Sequence, residues 1–107
     1  MVVKRFDVYL VNLDPTMGSE IQKTRPCLVI SPDEMNRNIR TVIIAPLTSA
    51  PKEYPTRVSC TFRNTQGQVV LDQVRTIDKA RLIRKLGTLD SRAQSEVILV
   101  LQRLFAF

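Results

Sequence analysis

The chain has 107 residues, enough for one domain with a single modest core. Its 44% hydrophobic and 24% charged composition excludes a disordered polymer, and no apolar run approaches the roughly 20 residues of a membrane span. The net charge of +6 favours a polyanionic partner, nucleic acid ahead of an anionic membrane surface, with plain solubilising charge as the alternative.

The opening MVVKRFDVYL lacks the succession of basic segment, long apolar segment and small-residue cleavage site. No signal peptide is therefore expected, and the cytoplasm is the default location. Residues 6–13, FDVYLVNL, are β-branched and aromatic and read as a strand, closed by turn chemistry in DPTMG. A polar loop leads to CLVIS (27–31), a second strand, and PDEMNRN (32–38) forms a helical turn from Pro32. TVIIAPL (41–47) is nearly all apolar, which predicts a central strand. Two prolines in TSAPKEYP exclude regular structure there.

RVSCTF (57–62) alternates, with Val58, Cys60 and Phe62 on one face and Arg57, Ser59 and Thr61 on the other, as a half-buried strand does. RNTQGQ reads as a hairpin-like loop before VVL (69–71), DQVRTIDK (72–79) is too mixed to assign, and ARLIRKLGTL (80–89) reads as the last strand. Asp90 then caps a helix whose Val97, Ile98, Leu101, Leu104 and Phe105 recur at helical spacing, predicting a lid over the sheet. Several short strands with one terminal helix give a mainly β fold: one domain over 1–107, a small curved antiparallel sheet or barrel.

Histidine is absent, which excludes histidine-based triads, two-histidine ribonuclease chemistry and His-ligated zinc from this chain alone. Cys27 and Cys60 sit in apolar runs without metal-site spacing and read as buried reduced thiols. Chemistry is left to three polar clusters at strand ends: Gly18-Ser19-Glu20 leading to Arg25-Pro26, Pro46-Leu47-Thr48-Ser49, and Asp72-Gln73-Val74-Arg75. Pro26 restricts Arg25 to extended conformations, and β-branched Thr48 is stiff at χ1. Spacing alone leaves two readings open for each. Arg25 is an anion-binding fork or an ion-pair partner of Glu20 or Asp72. Thr48 and Ser49 are hydroxyl donors or loop caps. Asp72 is an acid or a turn anchor, and Arg75 a ligand contact or a solvated charge.

Taken in order, VYLVNLDPTMGSE, TRPCLVIS, VIIAPLTS and LDQVRTIDKARL resemble the MazF/PemK family of toxin endoribonucleases, over a span from about Lys4 to the terminal helix. The resemblance implies an SH3-like β-barrel with short helices, a homodimer, and cofactor-free, metal-independent cleavage of single-stranded RNA. The products would carry 2′,3′-cyclic phosphate and 5′-hydroxyl ends, and a cognate antitoxin with an acidic segment would silence the protein. The family's catalytic arginine and threonine fall on Arg25 and Thr48. Glu20 matches a position linked to activity, and Asp72 an acid of the PemK-like branch. Val70 stands where that branch has an arginine, and the first loop has no histidine, which shifts weight to Arg25 and Thr48.

RNA contacts are expected from loops 14–24 and 49–56, including Ser49, with Gln73 and Arg75 nearby. Lys23, Lys52 and Arg57 read equally as phosphate contacts or solvated charges. Tyr54 reads equally as a base-stacking ring or as packing against Pro55. The alternative function is a non-catalytic toxin of the same fold that poisons DNA gyrase, which would not need the Arg25 and Thr48 pair.

Overall fold

Alternation at period two decides the sheet. In strand β1 (Asp7–Asn12), Val8 turns to one face, and Tyr9 and Val11 to the other. Strand β2 (Thr24–Val29) runs antiparallel to it, setting Val8 opposite Leu28 and Tyr9 opposite Cys27, so the two strands sort their residues alike. The computed structural model describes all residues 1–107.

A short helix, α1 (Asp33–Asn38), begins directly after Pro32 and delivers the chain to strand β3 (Thr41–Thr48). β3 is central, as its apolar run predicts. β2 pairs along one edge, through Cys27–Pro46, Leu28–Ala45 and Val29–Ile44. The other edge is shared by two strands: β5 (Thr65–Val70) takes Leu47 and Thr48, and β6 (Arg75–Asp78) takes Thr41 to Ile44. A 3-10 turn at Leu71–Gln73 separates them, so one chain segment bends along β3 and changes register on the way.

β4 (Arg57–Phe62) pairs with β5, and β7 (Leu82–Thr88) returns to β1, giving the order β4-β5-β3-β2-β1-β7 with β6 beside β3. The sheet curls until its edges approach: a Cβ placed on Gly87 of β7 would lie 3.1 Å from the Phe62 ring of β4. Helix α2 (Ser91–Leu104) starts where Asp90 accepts the Ala93 N–H at 3.2 Å, and packs Ala93 and Val97 onto a core with Val8, Leu28, Leu47 and Val58. Tyr9, Val11, Cys27, Val42 and Ile44 build a second core on the opposite face. No helix is long and apolar enough to cross a membrane.

Several details differ from the sequence reading. β2 starts at Thr24, not Cys27, because the ladder with β1 continues through Arg25 and Pro26 to Thr24. The hairpin loop shrinks to Arg63 and Asn64, whose φ values of 52° and 64° form the left-handed pair that a tight two-residue turn requires. Residues 72–79 resolve into the end of the 3-10 turn and β6, and β7 is shorter than expected because a second 3-10 turn occupies Lys79–Arg81. Leu104 and Phe105, expected on the packed face of the last helix, are exposed, since the core beneath reaches only to Val100 and Leu101.

Candidate functional site

The β2–β3 register assembles the site. Carried two residues past its last bridged pair, Cys27 with Pro46, it sets Arg25 level with Thr48. Both side chains line one cleft of about 280 Å³, with Ser49, Phe62, Arg63 and Gly67 among its other walls. No aspartate or glutamate lines it.

Arg25 is free of carboxylates. The ion pairs are Arg57–Asp72 and Lys85–Asp7, so neither alternative partner, Glu20 or Asp72, neutralises it. Its Nε donates to the Gln22 carbonyl at 3.3 Å, which steadies the guanidinium and leaves its two terminal nitrogens unengaged. The Thr48 hydroxyl oxygen accepts the Ala50 N–H at 3.1 Å. Thr48 is therefore a loop cap, and because its oxygen serves as acceptor, the hydroxyl hydrogen remains able to donate.

Glu20 and Asp72 lie elsewhere. They line a separate cleft of about 220 Å³ with Gln73 and Arg75. Glu20 accepts the Met17 N–H at 2.6 Å and closes its own turn. Asp72 receives Arg57 Nε and Nη2 at 2.9 and 3.3 Å and the Thr56 hydroxyl at 3.0 Å. Burial acts to raise the Asp72 carboxyl. The hydrogen bonds from Arg57, Thr56 and its own backbone, with the Arg57 charge, outweigh that and hold it below the usual range.

The side chains expected to touch RNA divide by what they already hold. Gln73 accepts the Ile21 N–H at 2.7 Å and donates to the Ser19 carbonyl, fastening the 14–24 loop. Arg75 donates to the Leu13 carbonyl at 2.9 Å, and Arg57 is consumed by Asp72 with its side chain 9% exposed. Lys23, Ser49, Lys52 and Tyr54 are exposed. The Tyr54 ring lies against two cations, with Arg57 5.5 Å and Lys52 6.0 Å from its centre. The Lys52 backbone is bonded on both sides by the buried Gln68 amide, which ties the 49–56 loop to β5.

Both thiols are buried and unpaired. Burial pushes Cys27 up to about 12 against the opposing charges of Arg75 and Arg25. Cys60 is raised by burial and by the Asp90 charge.

Sequence reasoning missed Arg63 and Gly67. Both fell inside what read as a loop, because polar TQGQ shows no apolar alternation, and only the structure shows it continuing in register with β4. Gly67 matters through what it lacks: a Cβ there would stand 2.7 Å from the Thr48 carbonyl oxygen.

Such a curled sheet, with a long helix packed across its core, is shared with solved toxins. MazF from Deinococcus radiodurans superposes with a TM-score of 0.87 at 28% identity, covering 100% of this chain and 99% of that one. A MazE–MazF structure from the same organism matches at 0.81 and 25% identity, covering 100% and 98%. Endoribonuclease EndoA of Bacillus subtilis (strain 168) is 39% identical over 95% of this chain and 93% of its own length. The sequence model of the PemK-like, MazF-like toxins of type II toxin–antitoxin systems matches residues 4–105, and the chain belongs to that family.

Proposed function

We propose that this chain is an endoribonuclease toxin that cuts single-stranded RNA by internal transesterification and is silenced by a cognate antitoxin. In that reaction the 2′-oxygen bonds to the adjacent phosphorus while the bond to the 5′-oxygen breaks. The 2′-hydroxyl proton is lost and the departing 5′-oxygen gains one, leaving 2′,3′-cyclic phosphate and 5′-hydroxyl ends. The nucleophile belongs to the substrate, so neither a protein nucleophile nor a metal-activated water is required.

The carrying observation is that Arg25, with no carboxylate partner, shares one cleft with Thr48. A permanently charged planar fork suits the non-bridging phosphate oxygens, and the free hydroxyl hydrogen of Thr48 adds a donor beside it. Charge that develops on those oxygens in the transition state would be met by donors already in place. This chain puts no carboxylate base in the cleft, so Arg25 and Thr48 act by stabilising charge. The relatives support the reaction class, since EndoA is an endoribonuclease by name.

The family's place in toxin–antitoxin systems supports the antitoxin. A homodimer completes the reading, supported by the exposed apolar residues Leu99, Leu104 and Phe105 along α2 and its end.

The test is to incubate the purified protein with a long RNA in EDTA and map the fragment ends. Discrete cuts are expected, with 5′ ends that a kinase labels directly and 3′ ends that resist ligation until the cyclic phosphate is removed. Intact RNA, or fragments bearing 5′-phosphates, would overturn the reading.

A further inference from the structure

Beyond the cleft, the outer face of the β4–β5 ladder forms a trough of about 420 Å³. It shares Ser49, Cys60, Gln66 and Gly67 with the Arg25–Thr48 cleft, so the two are continuous. Cross-strand register puts Thr61 opposite Gln66 and Ser59 opposite Gln68, gathering hydroxyls and amides on one face. Arg92, near the start of α2, stands in its lining.

We propose that this trough is a second nucleotide subsite, where a phosphate flanking the cut meets Arg92 and the neighbouring base or ribose meets Ser59, Thr61 and Gln66. It rests on the RNA-cleaving reading of the adjoining cleft. Arg92 forms no ion pair, and no carboxylate lines cleft or trough. By contrast, the cleft that holds Glu20 and Asp72 sets two carboxylates beside its one lining cation, Arg75. The path of favourable charge from Arg25 therefore leads past Arg63 and over β4–β5 to Arg92.

Gln68 is occupied with Lys52, but Ser59, Thr61 and Gln66 hold no side-chain hydrogen bond within the protein and are exposed. Unpaired bases and riboses offer the donors and acceptors that such groups read. A protein partner would need apolar pockets for anchoring side chains, and the trough has only Pro51 and Cys60 to give.

The experiment measures binding by fluorescence anisotropy. The probes are oligoribonucleotides carrying the mapped cleavage sequence, a single deoxyribose at the scissile position to prevent cutting, and increasing length on either side. Arg92→Ala should lose about 3–10-fold in affinity for probes extended on one side, and its plot of log affinity against log salt should flatten by about 0.7. Arg92→Glu should lose more, and Gln66→Ala should alter base preference at one flanking position. Wild-type affinity and salt slope in both Arg92 variants at every length would overturn the subsite. Arg25→Ala, assayed alongside for cleavage, separates the two layers. Normal cutting by that variant would bring down the underlying reading, whereas its inactivity beside unaltered Arg92 variants would bring down the trough alone. Weakened antitoxin binding by Arg92→Ala with RNA binding unchanged would also overturn the subsite and give the trough to a protein ligand.

Discussion

Gly67 of β5 passes so close to the end of β3 that a methyl group on its Cα would lie 2.7 Å from the carbonyl oxygen of Thr48. The obstacle is backbone, which cannot swing aside as a flexible side chain would. Gly67→Ala should therefore push Thr48 and the ladder apart. The expected cost is about 1–3 kcal/mol in urea-denaturation stability. Because Thr48 loses its setting against Arg25, kcat should also fall about tenfold. An unchanged kcat in a folded Gly67→Ala protein would remove Gly67 from the positioning of the site.

Arg25→Ala and Thr48→Ala should each reduce cleavage about 10²–10³-fold, the usual loss when one preorganised donor to developing charge is deleted. Arg25→Lys should recover little, because a point charge cannot reproduce the fork. Thr48→Ser keeps the hydroxyl and should stay closer to wild type. Single-turnover rates on one defined RNA decide the matter.

Asp72→Asn should lower stability while leaving cleavage nearly intact, since its carboxylate serves Arg57 and Thr56 across the fold. Losing the paired charge should cost about 1 kcal/mol at neutral pH. The folded carboxyl is held below its ordinary value, so its stabilising effect is present above the unfolded pKa and fades as pH falls through the folded one. The gap between wild type and variant should therefore be full at pH 7 and begin to close from about pH 4 downward. A gap that widens on acidification would contradict the assignment.

Neither thiol should react with alkylating reagents at pH 8 in the native protein, because Cys27 and Cys60 are buried and both are raised. Two alkylations should appear on denaturation, counted by mass. Rapid native labelling at Cys27 would show that the second core opens readily.

The apolar run at 41–47 announced a central strand, and the strict alternation of Val58, Cys60 and Phe62 marked β4 to the residue. Asp90 was readable as a cap because capping is local chemistry. The residues of the candidate cleft, Arg25 and Thr48, could be singled out in the sequence, but not their company. Whether Arg25 is neutralised depends on Arg57 reaching Asp72 across 15 positions, and no spacing rule reports that contact. The stretch from Arg63 to Gln68 hid its strand because its residues are polar on both faces and its tight turn uses Arg-Asn rather than glycine. Gly67 was invisible for a further reason: what matters is an approach between two backbones, created only when β5 lies down beside Thr48.

β3 is hydrogen-bonded along both edges, whereas the outer end of β2, at Thr24 to Pro26, has ladder partners only on β1 and runs straight into a solvent-facing loop. Amide protons around Ile44 and Leu47 should accordingly be among the last to exchange with deuterium, and those near Thr24 and Arg25 among the first. The alcohol thus sits at an end of β3 held by β5 alone and the guanidinium at an end of β2 held by β1 alone, so fraying of either strand end parts the pair.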